Sequence, residues 1–348
     1  VGEKVNKFAF IIHPIEIEDF HKVMPILKNI PTFLISTMGK YINPFKISEI
    51  KGVDTPEEKI KGYLIGVPFT LRQMEELPID YILNKYIKAG ELAKKLGVNI
   101  IGLEPSSSKI AEHIDTIAQR LSISITTGRI FSLLSVLCGI KMAAESLGKD
   151  FKECDLSIIG IDNRKGEVLA KLIAREIKYL TLVSTNKSNL ESIKQDILVE
   201  TGTAVHITEN LGKVIKNGDI IVITSNQEYK NINIEEVKNN AIIYDLSRPR
   251  IITKEIEDRR HDILFIDDGL IKLPFKIDLG FDFGYSTNMY SPALAETILF
   301  TMEEKLTSYS GGGTINMDMI NTINDIAKSN GLTVGGVTNF YREIQFKT

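Results

Sequence analysis

A segment near the middle of the 348-residue chain, residues 155–187, has the pattern of a strand, a tight turn, a helix and a second strand. The apolar run at 156–159 ends in Gly160, as expected for a strand that is buried on both faces. Apolar residues then recur at helical spacing over 168–177, and a second apolar run follows at 179–183. The pattern predicts a βαβ unit. The strands of such a unit are parallel, so the surrounding chain is expected to form a parallel sheet.

The turn between the first strand and the helix is a candidate phosphate site. A parallel strand that leads into a helix leaves N–H groups at the helix N-terminus, and these suit a pyrophosphate. The usual fingerprint has three glycines. Here the outer two, Gly160 and Gly166, remain, and Asn163 stands between them beside Arg164. Asn tolerates positive φ, although its side chain would crowd a phosphate, so a purely structural turn stays open as the alternative.

The end of the second strand distinguishes between two nucleotides. NAD sites place an acidic residue there, whereas NADP sites use cations or neutral donors. The residues after the strand are Ser184, Thr185, Asn186 and Lys187, and none of them is acidic. We therefore expect NADP, with Arg164 nearby. For Lys187 alone, an ordinary solvated loop explains the residue equally well.

Composition excludes several other classes of function. A net charge of −3 gives no electrostatic footprint for nucleic acid or an anionic membrane. No apolar run approaches the roughly 20 residues of a membrane span, and the first residues do not resemble a signal peptide. Two cysteines, Cys138 and Cys154, fit a reducing cytoplasm and a structural role for each. The five histidines have no ligand spacing, so we expect no metal.

Strands and helices alternate along the chain, which predicts an α/β fold. We expect an N-terminal α/β substrate domain at 1–128, a connecting helix at 129–149 with Thr127 as its N-cap, and a Rossmann-type doubly wound NADP-binding domain at 150–285. C-terminal helices at 286–348 should pack back on the N-terminal domain. Residues 15–30 have helical spacing and residues 32–50 are irregular. Thr224 and Ser225 end a later strand and should share the crevice beside Gly160.

Several motifs in a fixed order resemble one family. They are FAFIIHP at 8–14, GYLIGVPFT at 62–70, KAGELAKKLGVNIIGLEPSSS at 88–108, SITTG at 124–128, DIIVITSN at 219–226 and LAETILFTMEE at 294–304. Over nearly all of its length the chain looks like the acyl-(acyl-carrier-protein) reductases and their shikimate-dehydrogenase-like relatives. The resemblance implies that a Cys at the start of the LAET helix attacks an acyl thioester, carried by acyl-carrier protein or CoA. NADPH then releases an aldehyde, and a partner enzyme that consumes the aldehyde is implied by analogy alone.

The chain departs from this family at the position of the nucleophile. The family's Cys falls on Ala293, which cannot be acylated. Arg129 replaces the usual Asn after TTG, and Asn163 alters the phosphate turn. Either the Cys has been replaced by design or this branch has lost covalent catalysis, and the sequence is compatible with both.

Other residues are candidates for the site, each with a structural alternative. Ser291 is a substitute nucleophile without an evident base, or a helix N-cap. Glu296 would hydrogen-bond across the cleft or serve the packing, and His13 would be an acid or an orienting group, or a packed core histidine. The remaining candidates would line the substrate pocket or cap helices, and they are Ser106, Ser107, Thr126 and Thr127.

Three functions remain open. The first is reduction of an acyl thioester to an aldehyde by NADPH. The second is direct hydride transfer between NADP and a small carbonyl or alcohol, as shikimate dehydrogenases perform it; this reaction needs a proton donor such as Lys or His. The third is a catalytically inactive nucleotide-binding protein that acts as a regulatory or partner subunit. Acyl chain length, carrier and oligomeric state do not follow from the residues.

Overall fold

A computed structural model of the protein describes residues 5–14, 41–53, 60–104, 110, 112–161, 164–184, 187–225, 232–247, 250–280, 282–304, 311, 315–340 and 342–346. The chain divides into two compact units. The first comprises Val1–Phe131, Lys272–Gly313 and Asp325–Thr333, and the second comprises Ser132–Ile271, Thr314–Asn324 and Val334–Thr348.

The strands in chain order are β1 (Asn6–Ile12), β2 (Phe45–Ile50), β3 (Ile60–Gly66), β4 (Ile100–Leu103), β5 (Ser124–Thr126), β6 (Asp155–Ile159), β7 (Tyr179–Val183), β8 (His206–Thr208), β9 (Ile220–Ile223), β10 (Ile242–Asp245), β11 (Leu264–Ile266), β12 (Asp268–Lys272), β13 (Met289–Tyr290), β14 (Thr333–Asn339) and β15 (Arg342–Glu343).

The helices are α1 (Leu71–Glu76), α2 (Ile79–Lys95), α3 (Ile114–Leu121), α4 (Arg129–Ser146), α5 (Arg164–Ala174), α6 (Lys187–Thr201), α7 (Leu211–Asn217), α8 (Lys254–Glu257), α9 (Pro292–Met302) and α10 (Met317–Ser329). Short 3₁₀ helices occur at Phe151–Glu153 and Ile234–Glu236.

The first unit is built on a five-stranded sheet of order β2-β3-β1-β4-β5, in which only β2 runs antiparallel to its neighbour. One face packs on α2 and α3, with Ala9 and Ile11 of β1 in that core. The other face packs on α9. A Cβ at Gly102 of β4 would lie 2.0 Å from the Thr297 Oγ1 atom, so the glycine lets the helix lie directly on the sheet.

The second unit is built on a six-stranded sheet of order β11-β10-β9-β6-β7-β8. All five strand pairs are parallel. Parallel strands buried on both faces need apolar side chains at consecutive positions, and β9 (Ile220–Ile223) is fully buried. The predicted α/β class with a doubly wound second domain is confirmed.

Two regions differ from the sequence expectation. Residues 45–48 alternate in polarity, but Glu49 interrupts the pattern after four residues. The segment 45–50 nevertheless forms β2, because it pairs with β3 at the sheet edge, with an irregular register between Lys46 and Ser48. The chain also continues beyond α10 into β14 and β15, which pair antiparallel. The helix predicted for 15–30 lies outside the described residues.

Candidate functional site

The second unit has the strand order that creates a crevice at the end of its sheet. From β8 to β11 the order is β8-β7-β6-β9-β10-β11, so the chain winds outward from β6 in one direction and from β9 in the other. This is the order 3-2-1-4-5-6 of dinucleotide-binding sheets, in which the ligand lies beyond the carboxyl ends of the strands where the winding reverses. The reversal here lies between β6 and β9, which pair in register from Leu156 with Ile220 to Ile159 with Ile223.

Gly160 makes the turn at this reversal point. Its φ is +79°, a value that favours glycine. A Cβ at this position would lie 2.8 Å from the Ser225 Cβ and 2.9 Å from the Ser225 backbone nitrogen. Gly160 therefore meets the requirement of the first glycine in a dinucleotide fingerprint, which is a tight turn.

Gly166 brings the helix α5 close to the strand ends. A Cβ there would lie 3.0 Å from the Ile161 Cα and 3.0 Å from the Thr224 Oγ1. The Thr224 hydroxyl in turn donates to the Gly160 carbonyl at 2.6 Å. The structure thus brings Thr224 and Ser225 beside Gly160 and Gly166. The residues present fit a dinucleotide phosphate at this turn.

Part of the predicted coenzyme site lies outside the described residues. Asn163, Thr185 and Asn186 are not described, and of Arg164 and Lys187 only the backbone is, as the first residues of α5 and α6. Ser184, which precedes this segment, is buried. Ser106 and Ser107 of the first unit also lie outside the described part.

The first unit gathers polar residues at the carboxyl edge of its sheet. His13, Glu104 and Thr127 follow β1, β4 and β5 directly, and these three strands are parallel neighbours. His13 is buried, with its Nδ1 atom 3.0 Å from the Pro14 carbonyl oxygen. The start of α9 lies at the same edge, because the Ser291 hydroxyl donates to the Glu104 Oε2 atom at 3.2 Å.

Ser291 is the N-cap of α9, since its side chain accepts a hydrogen bond from the Leu294 N–H at 3.4 Å. The sequence analysis found no base for this serine and missed Glu104 as its partner. The available signal was the position of Glu104 immediately after a fully apolar strand, a place where side chains reach the carboxyl edge.

Ala293 lies in the first turn of α9 and is 1% exposed. A Cβ at Gly128, whose φ is +70°, would lie 2.3 Å from the Ala293 Cα and 2.5 Å from its nitrogen. The turn after β5 is therefore packed backbone to backbone against the start of α9. The SITTG and LAET motifs, which are distant in sequence, meet at this contact.

Glu296 is a buried carboxylate, 2% exposed, that holds this contact together. Its Oε2 atom accepts from the N–H groups of Ile130 and Phe131, each at 3.0 Å, and its Oε1 atom accepts from the Thr126 hydroxyl. Burial raises the pKa of Glu296, while the hydrogen bonds and the charge of Arg129 act in the opposite direction. The carboxylate thus occupies the N-terminus of α4.

The expectation that Thr127 caps α4 is wrong. The N–H groups that such a cap would serve are bonded to Glu296, and the Thr127 Oγ1 atom is buried with no hydrogen-bond partner among the described residues. The physical reason is that a charged acceptor from α9 reaches the helix start, and charge-assisted hydrogen bonds are stronger than neutral ones.

Three further residues named in the sequence analysis, Arg129, Cys138 and Cys154, have the following surroundings. Arg129 donates to the Gly311 carbonyl, and burial lowers its pKa. Cys138 lies half-buried in α4, and Cys154 is buried beside the Asp150 carbonyl, with its pKa raised by burial.

Within the described ranges no cluster of three His, Cys, Asp or Glu side chains could hold a metal ion. None of the described helices is long and apolar enough to cross a membrane.

Comparison with known proteins gives distant similarities. No protein-family model matches the chain. A curated relative, aminotransferase PigE of Serratia sp., is 19% identical over 358 residues, which cover 97% of this chain and 41% of that protein. The chain therefore spans about two fifths of the length of the relative it matches.

Solved structures with similar folds include three dehydrogenases. L-tryptophan dehydrogenase from Nostoc punctiforme is 16% identical with a TM-score of 0.40, and the match covers 95% of this chain and 84% of that one. Shikimate 5-dehydrogenase from Listeria monocytogenes, solved with shikimate and NAD, is 11% identical with a TM-score of 0.34, covering 93% and 99%. Quinate dehydrogenase from Corynebacterium glutamicum, solved with NAD, is 10% identical with a TM-score of 0.35, covering 94% and 100%.

Proposed function

We propose that the protein is an NADP-dependent oxidoreductase that transfers hydride to a carbonyl compound without a covalent intermediate. The observation that carries this proposal is the reversal of winding between β6 and β9, with Gly160 and Gly166 packed on Ser225 and Thr224. A bound coenzyme supplies the hydride. Direct transfer is favoured over an acyl-enzyme because Ala293 has no nucleophilic atom.

The residues of the second unit hold the coenzyme in this proposal. Gly160 makes the tight turn, Gly166 brings α5 close to the strand ends, and Thr224 fixes the turn through the Gly160 carbonyl, so that the N–H groups at the start of α5 would hold the diphosphate. The segment after β7 contains Thr185, Asn186 and Lys187 but no acid, which favours NADP over NAD.

The residues of the first unit bind the substrate in this proposal. Thr127, Ser291 and His13 stand at the carboxyl edge of the sheet. Thr126 and Glu296 act as positioning residues, because their hydrogen bonds hold the turn against α9. His13 is the candidate proton donor for the product alcohol.

A second candidate function, reduction of an acyl thioester on acyl-carrier protein or CoA, rests on the position of residue 293. It lies in the first turn of an 11-residue helix, where N–H groups would lower the pKa of a thiol and hold an oxyanion. The released aldehyde would need a second enzyme that converts it further. The length of the PigE relative and its name, an aminotransferase, support the proposal that an amine-forming enzyme takes that role.

The test uses the full chain and its Ala293→Cys variant. NADPH and NADH fluorescence measure coenzyme binding, and NADPH absorbance follows turnover with octanal and other aldehydes and ketones. We expect NADPH binding to both forms, tighter than NADH, and turnover of a carbonyl compound by the unaltered chain. Intact mass after incubation with octanoyl-CoA tests for an acyl group on the Cys variant.

Each outcome decides between the functions. Carbonyl turnover by the unaltered chain supports direct transfer. Turnover of octanoyl-CoA that appears only in Ala293→Cys, with the acyl adduct in its mass, supports the thioester reaction instead. NADPH binding without turnover in either form supports a non-catalytic nucleotide-binding subunit. If neither coenzyme binds at millimolar concentration, the oxidoreductase proposal is wrong.

A further inference from the structure

Within the described residues, the turn that follows β5 contains a buried side-chain hydroxyl without a hydrogen-bond partner. The Thr126 hydroxyl is used twice, since it donates to Glu296 and accepts from the Gly128 N–H at 3.3 Å. Thr127 is 3% exposed, and its hydroxyl has no hydrogen-bond partner in the described part of the chain. A buried hydroxyl left unpaired is costly, so its presence between two bonded residues calls for a partner that the described residues do not provide.

In the first turn of α9, the Ala293 N–H likewise has no hydrogen-bond acceptor among the described residues. Pro292 has no N–H, and the N–H groups of Leu294 and Ala295 donate to Ser291, the first to its hydroxyl at 3.4 Å and the second to its carbonyl at 3.0 Å. No hydrogen bond from the Ala293 N–H is found among the described residues. A helix N-terminus with a remaining donor attracts negative charge.

These two donors belong to segments that are in direct contact. Gly128 packs against the backbone of Ala293 so closely that a Cβ would lie 2.5 Å from the Ala293 nitrogen, and Thr127 is the residue next to it. Glu296 fixes both segments, because it is a residue of α9 and bonds to Thr126 and to the start of α4. The two donors are therefore held by a buried network.

We propose that the Thr127 hydroxyl and the Ala293 N–H bind the carbonyl oxygen of the substrate and stabilise the charge that it gains during reduction. This inference rests on the proposed function. Hydride adds to the carbonyl carbon, the π electron pair of the C=O bond moves to the oxygen, and the resulting alkoxide takes a proton from water or His13. Donors aimed at an oxygen where charge develops accelerate such a step.

The test compares Thr127→Val and Thr127→Ser with Thr301→Val in the full chain. Thr301 is a matched control, because it is also 3% exposed and its hydroxyl donates to the Thr297 carbonyl within α9, away from the turn. Octanoate serves as a probe that carries a permanent charge on the same oxygen, and octanal serves as the reducible carbonyl.

We expect Thr127→Val to weaken octanoate binding at least roughly tenfold, as the loss of a hydrogen bond to a charged oxygen requires. Its kcat/KM for octanal should fall about 100-fold with NADPH affinity unchanged. Thr127→Ser should stay close to the unaltered chain in both measurements, and so should Thr301→Val. Because no hydrogen bond is lost in the ligand-free chain, Thr127→Val should change the Tm by less than about 2 °C.

Octanoate binding that is equal in the unaltered chain and Thr127→Val overturns the inference, as does an absence of binding in both. A large fall in the Tm of Thr127→Val, with Thr301→Val unchanged, assigns the hydroxyl a structural role and also overturns it. Failure of the oxidoreductase proposal is distinguishable: NADPH would then fail to bind or be consumed, while the octanoate comparison still decides where the oxygen binds.

Discussion

Two strand–turn–helix connections of the same design treat their helix N-termini in different ways. β5 leads through Gly128 into α4, and β6 leads through Gly160 into α5, with φ values of +70° and +79° at the two glycines. At α4, the N–H groups of Ile130 and Phe131 donate to the carboxylate of Glu296. At α5, Gly160 and Gly166 pack on Ser225, Thr224 and Ile161, which carry no charge, and the Gly160 N–H donates to the Val183 carbonyl.

The α4 connection shows how the chain itself can fill a helix N-terminus. Both connections have the dipole and the donors that suit an anion. At α4 the chain supplies its own anion, from a residue 166 positions after Ile130. A glycine turn after a parallel strand is therefore not sufficient evidence for a coenzyme site in this protein. The residues that neighbour the turn determine whether the helix N-terminus is filled by the chain or can bind a ligand.

The largest effect should follow from removing the internal anion. Glu296→Ala leaves the N–H groups of Ile130 and Phe131 and the Thr126 hydroxyl without their acceptor. Because each unpaired buried group costs about 1–3 kcal/mol, we expect the free energy of unfolding to fall by roughly 3 kcal/mol or more. Urea denaturation measures the loss.

Glu296→Gln is the matched control for this variant. Glutamine keeps an acceptor oxygen for the two N–H groups and removes the charge, so its loss should be less than half of that caused by alanine. Equal losses in the two variants would mean that the side-chain volume, and not the hydrogen bonding at α4, accounts for the effect.

The next largest effect should follow from crowding the other turn. Gly160→Ala forces a residue with a Cβ into positive φ, at a cost of about 1–2 kcal/mol, and adds a steric clash with Ser225 worth about 1–3 kcal/mol. We expect a total loss of roughly 3 kcal/mol in stability and at least tenfold weaker NADPH binding, measured by denaturation and coenzyme fluorescence.

Gly202→Ala separates the two causes. Gly202 lies in the same unit with a φ of +75°, and a Cβ there would meet no atom within 4 Å. It should lose only the strain energy and bind NADPH as the unaltered chain does. If both variants bind NADPH normally, the turn at Gly160 is not the coenzyme site, and the contrast between α4 and α5 loses its functional meaning.

The contrast also explains which features the sequence could predict. The order of strands and helices in the second unit follows from apolar runs and glycine positions, which are local. The position of Thr224 and Ser225 beside Gly160 likewise follows from the ends of two strands. Edge strand β2 was missed because its alternation stops after four residues, at the point where the register with β3 is irregular, and its order depends on pairing with β3.

The candidate site of the first unit was less predictable for a related reason. Thr127 was expected to cap α4 because local sequence favours Thr before a helix. The residue that does so, Glu296, bonds to a threonine that is 170 positions away. Likewise, Glu104 becomes the partner of Ser291 only when α9 packs on the carboxyl edge of the sheet. Contacts between distant segments have no local signal.

A smaller effect should appear in the pH dependence of stability, which distinguishes the buried Glu296 from an exposed glutamate. Burial raises the pKa of Glu296 above the value of 4.5 expected for an exposed glutamate. The folded chain therefore binds this proton more tightly than the unfolded chain does. The stability that this group contributes is fully present below pH 4.5 and is lost as the pH rises through the folded-state pKa.

The measurement is the difference in unfolding free energy between the unaltered chain and Glu296→Gln across that pH range, so that all other titrating groups cancel. As the pH rises, the unfolding free energy of the unaltered chain should fall relative to that of Glu296→Gln by about 1.4 kcal/mol for each unit by which the pKa is raised. Above the folded-state pKa, the difference between the two chains should be constant. A shift in the opposite direction would mean that the three hydrogen bonds outweigh burial and that α4 holds a fully stabilised carboxylate.

The smallest effect concerns a third helix N-terminus, that of α9, which is capped by a neutral side chain. Ser291→Ala removes the acceptor of the Leu294 N–H and the donor to Glu104. An N-cap contributes about 1 kcal/mol, so the loss of stability should be near that value, well below that of Glu296→Ala. Ser291→Asp, which keeps an acceptor for Leu294 but places a second carboxylate beside Glu104, should destabilise the chain more than alanine does. If aspartate is instead the better cap, Glu104 is not a charged partner of this helix start, and α9 resembles α4 in favouring an anion at its N-terminus.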